Sequence, residues 1–344
     1  MDKLKALLTA EIDKTIVSEL ENYIDIEYAG WVIDNEILSE AEMVKLSVGK
    51  DIIVTSYDPV TKAVIDSSPE LKLIVCTRAN PVNIDAEYAK SKGIKISYAP
   101  GRNSDCAAEF TVALMLSITR KIPMAFMDLR NGKYTAEQKH EVKTKEGLKR
   151  DVTWALGKNT PYIEYKGFQM KGHTLGIVGY GSIGRRVAAI CNGFGMNIIV
   201  ADPYLTAKDV EDYITLKTFD EVIAQSDILT VHMKDTLETE KVINAEVFGK
   251  MKDSAYFINT SRGAVVEESA LIDALLTHKI AGAAVDVFES EPIAVDHPFI
   301  TQCDNIVITP HLAGATYDAI TNHTIQLVTD VKHFLNSEAM EYEY

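Results

Sequence analysis

Three side chains of complementary chemistry stand just beyond apolar runs in the second half of the chain. Arg262 lies in INTSRG, Glu291 in DVFESEP and His311 in ITPH. A guanidinium fork can hold a carboxylate through two hydrogen bonds and polarise an adjacent carbonyl. His311 is presented by a tight turn between Pro310 and Leu312-Ala313-Gly314. With His232 it is one of two histidines, out of eight, placed at the end of an apolar run. Pro292 stiffens a loop that can carry the Glu291 carboxylate to an imidazole. Such a neighbour raises a histidine's pKa and keeps it protonated at neutral pH, ready to act as an acid. The bland alternatives are a surface arginine and a solvated loop glutamate. Against them, the residues following successive apolar runs are Gly179, Asp202, His232, Arg262, Asp286 with Glu291, and His311. Scatter rarely places so many titratable groups at strand ends, and in a parallel sheet those ends share the edge where ligands bind.

The glycines explain what these groups would work beside. In Thr174 to Gly184, TLGIVGYGSIG, a short apolar run precedes Gly179, Gly181 and Gly184, and a helical pattern begins at Ile183. Gly179 permits the tight turn, Gly181 lets backbone approach a pyrophosphate, and Gly184 lets helix and strand pack closely, while the helix N-terminus offers free N–H groups to phosphates. A second apolar run, Asn197 to Ala201, ends in Asp202, whose carboxylate can accept hydrogen bonds from the adenosine ribose hydroxyls. Strand, glycines, helix, strand and acid together predict a dinucleotide site. Asp202 should also repel a 2′-phosphate, so NADH is expected over NADPH.

The remaining chain must hold this edge in place. Short β-like runs at Leu4–Thr9, Ile24–Tyr28, Asp51–Thr55, Leu71–Cys76 and Ile94–Tyr98 alternate with amphipathic segments such as Ile12–Tyr23 and Glu40–Leu46, predicting a parallel sheet covered on both faces. A long helical pattern starts near Asp105 and runs toward Arg130, with Pro123 read as a kink. The polar stretch 131–171 carries Lys143, Lys145, Lys149, Arg150 and Lys158 and is too long for a plain connection. Beyond it, Asp227–Val231, Ala255–Asn259, Ala281–Val287 and Asn305–Thr309 join the two strands around the glycines to make six, and Tyr317–Asn336 is helical again. The expected architecture is α/β, with two doubly wound parallel-sheet domains. A Rossmann NAD-binding domain (102–314, elaborated at 131–171) is inserted into a discontinuous, flavodoxin-like substrate domain (1–101 and 315–344). A formal net charge of −15 disfavours nucleic acid and anionic membranes as partners, and 47% hydrophobic with 25% charged residues is ordinary for a soluble protein. Four scattered cysteines suggest neither a zinc site nor disulfides, and the absence of a signal-like or membrane-spanning run predicts a cytoplasmic protein.

The order of motifs resembles the D-isomer-specific 2-hydroxyacid dehydrogenase family over nearly the whole chain: APGRN with AAEFT, GIVGYGSIG, VADP, TVHMKDT, INTSRGAVVEESAL, AAVDVFESEP and ITPHLAGAT. The phosphoglycerate dehydrogenases are the nearest branch in motif wording. The resemblance implies a catalytic set of Arg262, Glu291 and His311, working with NAD and no metal. It implies cofactor contacts at Gly179, Gly181, Ser182, Ile183, Gly184, Asp202, His232, Met233, Thr260, Ser261, Arg262, Asp286, His311 and Gly314. It also implies substrate contacts at Arg78, Ala79, Asn80, Arg262 and His311, an active site in the cleft between the domains, and a homodimer through the nucleotide domain. The activity implied is reversible hydride transfer between NAD(H) and a small 2-keto or D-2-hydroxy acid. D-3-phosphoglycerate dehydrogenase is the rival enzyme, and an NAD(H)-sensing corepressor the rival of another class. Where a phosphate-binding arginine is expected, this chain has Ser56-Tyr57-Asp58, so an unphosphorylated acid is expected to be preferred. Lys234 replaces the usual proline of V-H-x-P.

Overall fold

The computed structural model describes residues 3–135 and 160–344 and divides into two compact units, Met1–Cys106 with Gly314–Tyr344 (unit 1) and Ala107–Ala313 (unit 2). The boundaries fall a few residues from 101/102 and 314/315. Lys143, Lys145, Lys149, Arg150 and Lys158 lie outside the described residues.

Unit 1 is built on five parallel strands: β1 (Leu4–Leu8), β2 (Ile24–Tyr28), β3 (Ile52–Thr55), β4 (Leu73–Cys76) and β5 (Lys95–Ser97), in the order β2-β1-β3-β4-β5. That order is the flavodoxin-like doubly wound one. Alternation sorts the side chains to two faces. Ala6, Leu8, Ile52, Val54, Leu73 and Val75 join one buried cluster with Leu327, Val328 and Val331 of the helix Tyr317–Leu335. Leu7, Ile53, Ile74 and Cys76 join another on the opposite face. Strands buried on both sides are why these runs read as continuously apolar.

Unit 2 has seven parallel strands, one more than the six predicted: β6 (Thr174–Val178), β7 (Asn197–Ala201), β8 (Ile214–Leu216), β9 (Ile228–Val231), β10 (Tyr256–Asn259), β11 (Gly282–Val285) and β12 (Ile306–Ile308). Their order is β12-β11-β10-β9-β6-β7-β8. The extra strand, β8, is an edge of three residues of which only Ile214 is buried, too short to show a period. Phe257, Ala283 and Val285 face one core cluster while Ile258 and Ala284 face the other. The strand order reverses between β6 and β9, which places the switch point, and hence the crevice that binds ligands in such sheets, between Gly179 and His232.

The helical run toward Arg130 is two helices, Ser104–Thr119 and Ile122–Arg130, bent by 61°. The break is at Lys121, whose φ of 51° is left-handed; Pro123 sits in the first turn of the second helix, where its missing N–H costs nothing. Pro123 therefore starts a helix and does not kink one. Among the described residues no single helix is long and apolar enough to cross a membrane.

Candidate active site

The edge of unit 2 is assembled from one turn per strand. After β6, Gly179 takes a φ of 88°, and a Cβ there would lie 2.8 Å from the His232 carbonyl oxygen. A Cβ on Gly184, in the helix Ser182–Gly193, would lie 2.5 Å from the Gly179 carbonyl oxygen. Gly181 differs: a Cβ on it would meet nothing within 4 Å. Two glycines thus let the loop pack, while the third leaves open space before the helix N-terminus, the cradle a pyrophosphate requires. Ile183 is half-buried against the core beneath.

Asp202, directly after β7, accepts from the Tyr180 N–H at 2.8 Å and the Tyr204 N–H at 3.0 Å. Each oxygen keeps a lone pair for a further donor, and the carboxylate borders a groove with Leu205, Leu216, Lys217, Thr218 and Glu221. After β9 the His232 N–H donates to the Val178 carbonyl at 2.8 Å, and the Met233 backbone follows against Gly179. The His232 Nε2 pairs with Thr230 Oγ1 at 3.1 Å, its Nδ1 is buried without a partner among the described residues, and burial pushes its pKa down to about 4. The ring is neutral and is held by the protein.

Asn259, at the end of β10, shapes the turn that presents Arg262. Its Oδ1 accepts from the Ser261 N–H and hydroxyl at 2.9 and 2.8 Å, and its Nδ2 donates to the Arg262 carbonyl at 2.9 Å. The Thr260 hydroxyl pairs with Thr111 at 2.7 Å. The hydroxyls of Thr260 and Ser261 and much of the turn's backbone are therefore engaged internally, the Ser261 carbonyl accepting from Arg262 Nη1 at 2.6 Å. Arg262 is exposed and extended. Gly263 lets this turn meet the next, since a Cβ there would overlap the Phe288 carbonyl at 1.9 Å.

His311 Nδ1 lies 2.8 Å from Glu291 Oε2, and Glu291 Oε1 accepts from the Phe288 N–H at 3.1 Å. Burial pushes the Glu291 carboxyl up, but the hydrogen bonds from His311 and Phe288 and the charges of His311 and Arg262 outweigh it and hold the group below the usual value. An ionised Glu291 can only accept, so Nδ1 carries the hydrogen and Nε2 is the position from which a proton is delivered.

Asp286 requires a correction. Expected as a cofactor contact, its carboxylate is fully buried and accepts from Thr309 Oγ1 at 2.5 Å and from the Leu312 and Ala313 N–H groups, both at 2.8 Å. Its carbonyl accepts from the His311 N–H at 2.8 Å. Asp286 holds His311 in its left-handed φ of 57° and is a positioning residue. Gly314 is likewise explained by packing, since a Cβ on it would lie 2.3 Å from Asn103 Nδ2.

Two further residues escaped the sequence reading. Glu268 Oε1 accepts from His297 Nε2 at 3.0 Å and Oε2 from the Glu289 N–H at 3.0 Å, while His297 Nδ1 accepts from the Phe299 N–H at 3.2 Å. One carboxylate so ties both ends of the loop that carries Glu291. The only signal in the sequence was a glutamate opening an apolar helical run, Glu268–Leu276.

In unit 1 the substrate-loop residues Ala79 and Asn80 are exposed, and the Arg78 guanidinium lies 4.8 Å from the Tyr57 ring centroid. Asp58, expected to repel a phosphate, is only 1% exposed and accepts from Thr9 Oγ1 at 2.5 Å, Thr55 Oγ1 at 3.0 Å and the Leu38 N–H at 2.8 Å. It faces inward, and the repulsion argument fails for it.

A seven-stranded doubly wound sheet with a glycine cradle at its switch point defines a dinucleotide-binding protein, and the imidazole–carboxylate pair beside an arginine adds acid–base chemistry. A family model described as "D-isomer specific 2-hydroxyacid dehydrogenase, NAD binding domain" matches residues 112–313. The chain is 35% identical over 326 residues to a glyoxylate reductase from Thermofilum pendens, covering 93% of this chain and 88% of that one. It is 32% identical over 330 residues to a D-3-phosphoglycerate dehydrogenase from Archaeoglobus fulgidus, covering 95% of this chain and 56% of that longer protein. The crystal structure of the TT0316 protein from Thermus thermophilus is similar with a TM-score of 0.80 and 26% identity, covering 99% of both chains. The chain belongs to the D-isomer-specific 2-hydroxyacid dehydrogenase family, NAD-dependent oxidoreductases that act on CH–OH groups.

Proposed function

We propose that this protein reduces a small 2-keto acid to the D-2-hydroxy acid, reversibly, with NADH. The observation that carries the reading is the 2.8 Å contact between His311 Nδ1 and Glu291, which leaves Nε2 to give or take a proton at the substrate oxygen. Arg262 holds the substrate carboxylate and polarises the carbonyl, and its charge steadies the developing alkoxide. NADH, held by Gly179, Gly181, Ser182 and Gly184 and by Asp202 at the adenosine ribose, supplies the hydride when bound. From the family resemblance we infer that Arg78, Ala79 and Asn80 also contact the substrate.

We further read the protein as a homodimer formed through unit 2. The helix Ile122–Arg130 buries none of its residues and exposes Ile122, Phe126, Met127 and Leu129, while the short helix Pro161–Glu164 exposes Tyr162 and Ile163. Apolar side chains gathered in this way mark an interaction surface. Phe126→Asp should convert a dimer to a monomer in light scattering; a wild-type monomer would exclude this surface as the interface. The activity is tested by following NADH and NADPH oxidation against 2-keto acids with and without a second acidic group. Turnover of at least one acid, faster with NADH, is expected, and no turnover of any would overturn the assignment.

A further inference from the structure

Lys241 takes a φ of 50°, in the left-handed region where a residue with a Cβ is disfavoured. It lies on the segment that leaves β9 through His232 and Met233. That segment folds back on itself, the Thr236 N–H donating to Thr239 Oγ1 at 2.9 Å and Thr239 Oγ1 to the Lys234 carbonyl at 2.6 Å. It then pairs with the chain beyond Arg262. The Lys241 N–H donates to the Ala264 carbonyl at 2.8 Å, the Ile243 N–H to the Val265 carbonyl at 3.1 Å, and the Glu267 N–H to the Ile243 carbonyl at 2.9 Å. Ile243 and Val265 are fully buried, so this pairing is anchored in the core. From there the Lys241 ammonium reaches the next turn and meets Glu289 Oε1 at 2.6 Å, two residues before Glu291.

Three strand-end turns therefore meet at Lys241. Its N–H is bonded two residues after Arg262, its side chain two residues before Glu291, and Gly263 packs on the Phe288 carbonyl between them. Stability does not explain a lysine here. Both partners of the ion pair are close to half-exposed, a setting in which such pairs add little to folding, and glycine would take this backbone conformation without strain. What the lysine adds is reach. Glu289 is the first of the acids that face it, followed by Glu240 and Glu267; together they raise the Lys241 pKa and keep the ammonium charged. Glu289 is also held through its N–H, which donates to Glu268 Oε2 at 3.0 Å, and the preceding Phe288 N–H donates to Glu291 Oε1 at 3.1 Å. A displacement of Glu289 is thus passed to the carboxylate that faces His311 and feels the charge of Arg262.

We propose that Lys241 is a positioning residue for the proton transfer: it clamps Glu289 to the turn that presents Arg262, and so keeps Glu291 against His311 in a fixed place relative to the arginine. This rests on the reading of the chain as a 2-keto acid reductase. Glu268 ties the two ends of the Glu291 loop to each other, whereas Lys241 ties that loop to the arginine's turn.

The test is a set of variants assayed on a 2-keto acid that the wild type reduces. Lys241→Gly removes the side chain and suits the backbone, so it should melt close to the wild type while kcat falls by about two- to fivefold, as much as one half-exposed ion pair supplies. The high-pH limb of kcat/KM should move to lower pH, as expected when the Glu291 carboxylate no longer faces Nδ1, with the NADH dissociation constant little changed. Lys241→Met should behave in the same way, and Lys241→Arg should restore most of the rate. Glu289→Gln keeps the N–H that Glu268 binds; it should match Lys241→Met, and the double variant should be no slower than either. Deuterium exchange reads the clamp without substrate, and the amides of residues 286–291 should exchange faster in Lys241→Gly than in the wild type. An unchanged kcat and limb in both Lys241→Gly and Lys241→Met would overturn the proposal. So would slower variants whose limb stays in place, or a rate that Lys241→Arg does not restore. A wild type that reduces no 2-keto acid would instead overturn the reductase reading; exchange alone then decides the clamp, faster in Lys241→Gly upholding it and unchanged overturning it.

Discussion

Glu291 and His311 touch in a half-exposed setting, and the sign of the pH response follows from that contact. The folded Glu291 carboxyl titrates below its ordinary value, so the stabilisation the pair provides is present above the usual carboxylate range and is lost only as acid titrates the folded group. Through the neutral range Glu291 is thus an anion held against His311 Nδ1. Glu291→Gln should move the high-pH limb of kcat/KM for reduction to lower pH, because the carboxylate charge that faces Nδ1 is then gone. An unmoved limb would remove Glu291 from the proton path. Arg262, Glu291 and His311 stand out in the sequence as candidates because each lies a few residues beyond an apolar run and each is chemically conspicuous. Asp286 was legible as a strand-end acid but not in its role, since whether a carboxylate faces a ligand or the turn at Thr309–Ala313 depends on which N–H groups the fold brings to it.

The loop between β11 and β12 works as an element because one side chain binds it twice. Glu268 holds Glu289 at one end and His297 at the other, and both acceptors vanish in Glu268→Ala. That variant should lower kcat by about tenfold and displace the high-pH limb in the same direction as Glu291→Gln, since it acts by letting Glu291 leave His311. If so, the double variant should match Glu291→Gln alone, the non-additivity of residues in one network. A lower melting temperature with an unmoved limb would instead make Glu268 purely structural. Nothing in the sequence joined Glu268 to His297, because their separation of 29 residues is spanned only by the fold. The same limit hid β8, and it assigned to Pro123 a break that belongs to the left-handed Lys121. Where elements read most plainly, as in β3, β4 and β6, both faces of the strand are buried and the apolar runs are nearly unbroken.

At the scale of the whole molecule, the buried neutral histidine of unit 1 couples stability to acid. His323 titrates at about 4 when folded and near 6.5 when unfolded, so the unfolded chain takes up a proton first. The stability lost accumulates as pH falls from about 6.5 to about 4 and then levels off, amounting to roughly 2 kcal/mol at pH 5. Wild type should therefore melt several degrees lower at pH 5 than at pH 7, and His323→Asn should narrow that difference; an equal difference in the variant would assign the acid sensitivity to other groups. The two-sheet α/β plan was legible from strand–helix alternation, whereas the pairing of His323 with the Glu11 carbonyl emerged only from the fold. The central claim, that His311 gives the proton while NADH gives the hydride, is tested most directly by comparing NADH oxidation by the wild type and by His311→Gln on a 2-keto acid the wild type turns over. The account predicts a kcat lower by at least about 100-fold with the NADH dissociation constant little changed. A variant that reduces the acid at the wild-type rate would contradict it.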